Sequence, residues 1–215
     1  MNYRFYNARI LTMATDKLTE GELWVQDGKI LYVGDGSNTE SVCVGEQNAG
    51  EGKTKWDREI DCEGNLLMPG FKNAHTHSGM TLLRSYADDL PLQDWLFQQV
   101  FPIEEKMDGE MIYHLTKLAV LEYLTSGITA IFDMYLTPET TARACVEMGM
   151  RCVQVSGTSG QTDFEPSLKL LEERYQTLNH EDPLLSYFIG FHAEYTCSRE
   201  LMERVAEIAR KYKAP

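Results

Sequence analysis

The feature that most constrains this 215-residue chain is a repeated alternation of apolar, strand-like runs with helical patterns from about residue 66 onwards. The strand-like runs are LLMPGFKNAH, ITAIFDMY, MRCVQVSG and LLSYFIGF. Buried strands that alternate with helices are typical of a parallel sheet covered by helices. Four β-α units predict either a small doubly wound domain or half of an eightfold (β/α) barrel, and composition does not decide between them.

Capping signals set the limits of the predicted helices. Gly127 is placed to end the first helix. Thr137 is placed to cap the second helix, because Pro138 suits the first helical position. Ser198 is placed to cap the last helix. The predicted helices lie at about 109–126, 137–149, 166–178 and from 198 onwards. A long loop is predicted between the first strand and the first of these helices.

The first third of the chain is predicted to be β-structure. The runs GELWVQ and KILYVG flank Asp27-Gly28, a pair typical of a type I′ hairpin turn, because glycine accepts the positive φ that this turn requires. The polar stretch at 34–58 predicts a surface loop around a short strand at SVCV. We therefore predict an N-terminal β-sandwich part at 1–65 and an α/β part at 66–215.

Charge and cysteine content exclude several classes of function. The net charge is −13, which argues against nucleic acid and against an anionic membrane surface as partners. The five cysteines contain no CxxC pair, which is typical of reduced thiols that behave as small apolar residues. The N-terminus has no apolar stretch long enough for a signal peptide or a membrane span, so we expect a cytoplasmic protein.

The sequence His75-Thr76-His77 is the strongest chemical signal. On a strand, residues i and i+2 point to the same side, so both imidazoles can aim at one point. Imidazole is a common ligand for zinc, and a catalytic zinc usually has three protein ligands and one open position. The pair alone fits a partial metal site or two histidines in a surface turn.

The surroundings of this pair resemble a known family. The stretch from Met68 to Met107 is similar to the first barrel segment of the amidohydrolase superfamily, in particular its methylthioadenosine/S-adenosylhomocysteine deaminases and related chlorohydrolases. The likeness continues through DMY at 133–135 and FHAEYTCS at 191–198. The residues that carry it in the first segment are Pro69-Gly70-Phe71, Asn73, His75-Thr76-His77, Leu83-Arg84, Leu92, Trp95-Leu96 and Pro102-Ile103-Glu104.

The resemblance implies a role for several side chains. His75 and His77 would bind one divalent metal, usually zinc in this family. Glu104 would hold the ribose hydroxyls of a substrate, although it also fits a solvated surface glutamate. Trp95 would pack against the substrate or serve as a core aromatic. His192 would be catalytic and substrate-binding, facing the substrate and polarising or hydrogen-bonding the group under attack, or else be a buried structural histidine.

Asp133 ends the second predicted strand. It fits either a supporting position behind the site or a structural hydrogen bond. No lysine ends the fourth strand, so a second metal bridged by a carbamylated lysine is not expected.

The implied activity is metal-assisted hydrolysis that releases ammonia from a purine nucleoside such as methylthioadenosine, S-adenosylhomocysteine or adenosine. Related enzymes act on guanine, cytosine or triazines, and these substrates remain alternatives. The family's other ligands follow later barrel strands, so we expect this chain to be the N-terminal half of such an enzyme. Such a half would be inactive alone and would self-associate or pair with the missing half. A second hypothesis makes it a non-catalytic folding or assembly module.

Overall fold

The computed structural model describes residues 1–37, 56–155 and 157–215. The chain divides into two compact units, Met1–Pro69 and Gly70–Pro215. The division predicted after residue 65, with a β-sandwich part before it, stays a prediction. Within the described residues, no helix is long and apolar enough to cross a membrane.

Among residues 1–37 and 56–69, the first unit is built on a sheet of five strands, namely β1 (Asn2–Leu11), β2 (Leu18–Gln26), β3 (Lys29–Gly34), β4 (Arg58–Asp61) and β5 (Leu66–Leu67). The strand order is β3-β2-β1-β4, and β5 also pairs with β1. Strand β2 is antiparallel to β1 and β3, whereas β4 and β5 run parallel to β1.

The predicted hairpin between β2 and β3 is confirmed. Asp27 and Gly28 join the two strands with φ values of 48° and 78°. Two successive positive φ values are what a type I′ turn requires. The predicted strand at SVCV, together with most of the predicted surface loop, lies at 38–55, outside the described residues.

The second unit contains the predicted parallel sheet, which confirms the α/β class. Its strands are β6 (Phe71–Thr76), β7 (Ile128–Asp133), β8 (Arg151–Val155) and β9 (Leu185–Phe188). They pair in the order β6-β7-β8-β9, and every pair is parallel. All four strands therefore end at the same edge of the sheet.

In the part of this unit that the structure describes, six α-helices accompany these strands. They are α1 (Leu92–Asp94), α2 (Phe101–Glu104), α3 (Gly109–Thr125), α4 (Pro138–Met148), α5 (Glu165–Glu181) and α6 (Arg199–Tyr212). The last four are the predicted helices, and α5 is longer at its C-terminus than the pattern indicated.

The prediction of a long loop between β6 and α3 was wrong. This segment contains a 3-10 helix at Ser78–Leu83, the short helices α1 and α2, and a π-helical turn at Trp95–Val100 between them. Each piece has six residues or fewer, which is too short to show a helical period in the sequence. Pro102 lies where the π-helical turn passes into α2.

The core of the second unit lies between the sheet and its helices. The strands contribute Ile131, Cys152, Leu185 and Tyr187, and the helices contribute Val120, Cys145, Leu168, Leu171, Leu178, Leu201, Val205 and Ile208. Cys145, Cys152 and Cys197 are buried free thiols, as the cysteine pattern predicted. The aliphatic and thiol side chains fill the layer as ordinary apolar groups.

The two predicted helix caps differ. Ser198 precedes α6, and its hydroxyl accepts a hydrogen bond from the N–H of Leu201 at 3.2 Å. Thr137 occupies the same position before α4, but its side chain makes no capping bond, so this part of the prediction was wrong. The N–H groups of Thr140 and Thr141 both donate to the Thr137 carbonyl at 3.1 Å, which leaves the hydroxyl without a donor.

We expect Ser198→Ala to lower the free energy of unfolding by about 1 kcal/mol, because it removes a capping hydrogen bond. Thr137→Ala is the matched control and should cost less, since it removes no such bond. Urea denaturation of the two variants measures the difference. Equal losses in both variants would contradict the assignment of the two caps.

Candidate metal and substrate site

The two histidines of the HxH sequence converge at the end of β6. His75 is the second-last residue of the strand, and His77 is the first residue after the strand. Their Nε2 atoms are 3.1 Å apart, and the ring planes are nearly perpendicular at 88°. The side chains thus aim at one point, as the period of two along a strand requires.

The hydrogen bond that Nδ1 of His77 makes leaves the lone pair of Nε2 available to bind a metal. Its Nδ1 lies 2.7 Å from the carbonyl oxygen of Met134, which can only accept. Nδ1 therefore holds the proton and donates, so the lone pair of the neutral ring is on Nε2. Metal-binding histidines are commonly oriented by such a bond from the second ring nitrogen to a carbonyl oxygen.

The spacing of the two Nε2 atoms fits a shared divalent metal. Two ligands on a tetrahedral zinc lie about 3.3 Å apart when each Zn–N bond is about 2.0–2.1 Å. The observed 3.1 Å is close to this value. Across the described ranges, no group of three or more His, Cys, Asp or Glu side chains is arranged to hold a metal.

Glu104, at the end of α2, is brought into electrostatic range of His77. Burial raises the pKa of the Glu104 carboxyl above its ordinary value. The Tyr135 hydroxyl, as a hydrogen-bond donor, and the proximity of the His77 ring act in the opposite direction on this pKa. A half-buried carboxylate with one tyrosine partner has acceptor capacity left for a further donor.

His192 follows β9 and lies at the same edge of the sheet. Its backbone N–H donates to the carbonyl of Thr158, which follows β8, at 2.8 Å. Burial, and secondarily the proximity of His77, lower the pKa of the ring below its ordinary value of 6.5. The ring is therefore mainly neutral at pH 7.

The neutral ring of His192 has a defined tautomer. Its Nδ1 lies 2.8 Å from the hydroxyl of Thr196, and that hydroxyl donates to the carbonyl of Ala193 at 3.0 Å. The hydrogen-bond network therefore assigns the ring proton to Nδ1 and the lone pair to Nε2.

Trp95 is not joined to this group. It begins the π-helical turn and is half-buried. Its side chain has no hydrogen bond or ring contact with His75, His77, Glu104 or His192 in the described part of the chain. The structure thus brings together four of the five predicted site residues, and the role of Trp95 stays a prediction.

A comparison with family models decides the family. The model described as the amidohydrolase family matches residues 66–215. The chain belongs to the amidohydrolase family. The matched residues include β6 to β9 and all four converging side chains.

Curated relatives of this amidohydrolase chain share its sequence over nearly its whole length. It is 36% identical over 213 residues to a protein of Caldicellulosiruptor saccharolyticus named 5-methylthioadenosine/S-adenosylhomocysteine deaminase, covering 99% of this chain and 47% of the relative. It is 37% identical over 210 residues to a protein of the same name from Desulforamulus reducens, covering 96% and 46%. The chain spans about half the length of the curated relatives that it matches.

Solved structures share the fold. An adenosine deaminase from Xanthomonas campestris with bound zinc superposes with a TM-score of 0.84 and 26% identity, over 99% of this chain and 48% of that one. A guanine deaminase from C. acetobutylicum with bound guanine superposes with a TM-score of 0.78 and 19% identity, over 99% and 51%. At the latter identity the likeness shows the fold alone.

Tyr135 lies beside Glu104, although the sequence analysis gave it no role beyond its place in the DMY stretch at 133–135. It lies just beyond the carboxyl end of β7, where barrel enzymes place functional side chains, and this position was the available signal. Its hydroxyl is 3.6 Å from Sδ of Met107 and also faces Glu104. A carboxylate is the stronger acceptor, so we assign the proton to the Glu104 interaction.

Gly79 makes room for the Tyr135 ring. A Cβ atom on Gly79 would lie 2.3 Å from Cε1 of Tyr135, which is closer than atoms can pack. The residue that follows His77-Ser78 must therefore be small at this point. The loop after the HxH sequence and the partner of Glu104 are thus fitted to each other.

We expect Tyr135→Phe to raise the pKa of Glu104 further, because it removes a donor that favours the charged carboxylate and leaves burial less opposed. A raised carboxyl pKa means that the folded state holds the proton more tightly. The stability gained from it is therefore present at low pH and is lost as the pH rises through the folded pKa.

Carbon-13 NMR of the Glu104 carboxyl in the metal-free chain, followed across pH, measures this shift. Tyr123→Phe is the matched control, since the Tyr123 hydroxyl lies 3.3 Å from that of Ser78 and not at Glu104. A Glu104 pKa that falls in Tyr135→Phe, or moves equally in the control, would contradict the assigned interaction.

Proposed function

We propose that a protein containing this chain is a metal-dependent aminohydrolase that deaminates an aminopurine nucleoside such as methylthioadenosine, S-adenosylhomocysteine or adenosine. The single observation that supports this most strongly is the convergence of the His75 and His77 Nε2 atoms at 3.1 Å. Membership of the amidohydrolase family and the names of the curated relatives support the reaction class and the substrate.

Strands β6 to β9 are, in this proposal, four successive strands of a (β/α)8 barrel preceded by part of a β-sandwich. In such barrels the functional side chains follow the carboxyl ends of the strands. His75 and His77 at the end of β6, Tyr135 after β7 and His192 after β9 all have that position. The open edges of the four-stranded sheet would then pair with further barrel strands.

We assign His75 and His77 as two ligands of one divalent metal, with zinc as the expected ion. Zinc bound to a structural neighbour supports this identity. When bound, such a cation acts as a Lewis acid that makes water a nucleophile near neutral pH. His77 is oriented for the role by its bond to the Met134 carbonyl, and the remaining ligands would come from other parts of the protein.

The other side chains bind and orient the substrate in this proposal. Glu104 accepts hydrogen bonds from the two vicinal ribose hydroxyls, which a carboxylate with free lone pairs can do. His192 presents the lone pair of its neutral Nε2 as an acceptor for an N–H of the purine. Trp95 would pack against the substrate from the segment before Glu104.

A full-length protein containing this chain should release ammonia from adenosine or methylthioadenosine. His75→Ala and His77→Ala should each lower this rate by at least about 1,000-fold, because metal assistance supplies several kcal/mol at the transition state. His180→Ala is the control, since this exposed histidine at the end of α5 is remote from the sheet edge.

An ammonia-release assay separates the outcomes. Activity on a free base or a triazine alone would contradict the substrate assignment, and full activity in His75→Ala would contradict the metal site. The 215-residue chain alone should be inactive in this assay, because two histidines do not complete a catalytic site. Turnover by that chain would contradict the need for further ligands.

We expect Glu104→Ala to lower kcat/KM for adenosine by about 10- to 100-fold, because a hydrogen bond to a charged group contributes about 1.5–3 kcal/mol. For 2′,3′-dideoxyadenosine the same substitution should cost little, since that substrate has no ribose hydroxyls to lose. Glu105→Ala, next to it and exposed, is the control. Equal losses on both substrates would contradict a ribose-binding role for Glu104.

A further inference from the structure

Asp133 is a buried carboxylate that binds the segment containing the two histidines. It is the last residue of β7, and only 1% of its surface is exposed. Its Oδ2 atom lies 2.7 Å from the Thr76 hydroxyl and 2.8 Å from the Ser78 backbone nitrogen. The Ser78 hydroxyl also donates to the same oxygen. Three donors from two residues therefore meet on a single atom.

These donors alternate with the histidines along the chain. Thr76 and Ser78 are buried, whereas His75 is exposed and His77 is half-buried on the other side. In extended backbone, successive side chains point to opposite faces. Fixing residues 76 and 78 behind the strand therefore fixes the directions in which residues 75 and 77 project.

The neighbour of Asp133 completes the same contact. The backbone N–H of Met134 donates to the Thr76 carbonyl at 3.1 Å, and its carbonyl accepts from Nδ1 of His77. Asp133 and Met134 together thus contact every residue from Thr76 to Ser78. Hydrogen bonds from the end of β7 therefore fix the conformation of the end of β6.

We propose that Asp133 is a positioning residue that sets the orientation of His75 and His77 as a pair. It touches neither the metal nor the substrate and acts through Thr76 and Ser78. The inference rests on the proposed metal site, because the orientation of the two rings has chemical use only if both bind one ion. Buried groups that orient metal ligands commonly increase the affinity of the site for its metal.

The two carboxyl oxygens of Asp133 differ in their hydrogen bonds. This difference allows a substitution to remove the charge of Asp133 while keeping the acceptor that holds Thr76 and Ser78. All three donors are on Oδ2, whereas Oδ1 has no hydrogen-bond partner in the described part of the structure. Asparagine can keep an acceptor oxygen at the Oδ2 position and place its NH2 group at the Oδ1 position. Asp133→Asn should therefore retain the orientation of the histidines, and Asp133→Ala should lose it.

The test uses the metal-free 215-residue chain and nitrogen-15 NMR of the histidine rings. In the wild type, His77 should be held in the tautomer with its proton on Nδ1. Asp133→Ala should give a mixture of tautomers, and Asp133→Asn should keep the wild-type state. Thr76→Val and Ser78→Ala each remove one donor and should give intermediate mixtures, so the test stands even if Asp133→Ala does not fold.

Gln154→Ala is the matched structural control. Gln154 lies opposite Asp133 on β8, is equally buried, and donates to the Pro138 carbonyl rather than to the β6 segment. It should leave the His77 tautomer unchanged. The positioning role would be overturned if Asp133→Ala, Thr76→Val and Ser78→Ala each left the His77 tautomer unaltered. It would also be overturned if Gln154→Ala disturbed the tautomer as much as Asp133→Ala does.

Zinc titration with a chromophoric competitor provides the second readout. Asp133→Ala should weaken Zn²⁺ binding at least about tenfold, and Asp133→Asn should weaken it less. Zn²⁺ binding by the wild type that His75→Ala leaves unchanged would overturn the proposed metal site, and with it the purpose of the positioning. A tautomer that does not respond to Asp133 would overturn the positioning role alone.

Discussion

The alternation of side chains at the end of β6 is the constraint on which the site depends. One face of this segment is fixed inside the protein, because the Thr76 and Ser78 donors bind Oδ2 of the buried Asp133 carboxylate. The other face must then present His75 and His77 together. A buried charge is costly unless hydrogen bonds satisfy it, so the same interaction that stabilises the carboxylate also fixes the direction of the histidines.

The parallel sheet was predictable because its strands have strong local signals. Apolar runs such as ITAIFDMY alternate with long helices, and several boundaries carry a local signal, such as Gly127, Gly149 and Ser198. The histidine pair was predictable for a related reason, since a spacing of two on a strand defines a common direction. These features depend on residues close in sequence, which is why the sequence alone indicates them.

The features that the sequence did not reveal depend on which of several possible partners a polar group contacts in the folded chain. Tyr135 and Glu104 meet only after β6 and β7 pair, and the space for the tyrosine ring depends on Gly79. The tautomer of His192 depends on Thr196, because the Thr196 hydroxyl donates to the Ala193 carbonyl and so accepts from Nδ1 of His192. Thr137 lies at a good capping position, yet the N–H groups of Thr140 and Thr141 bond to its backbone carbonyl rather than to its hydroxyl. Such choices are settled by three-dimensional geometry rather than by residue type.

The central claim is that His75 and His77 bind one metal ion through their Nε2 atoms. X-ray diffraction from zinc-soaked crystals, with data recorded on both sides of the zinc absorption edge, tests it most directly. The anomalous difference map should show one peak at about 2.0–2.1 Å from both Nε2 atoms. A peak bound to only one of the two rings, or zinc located away from both, would contradict the account.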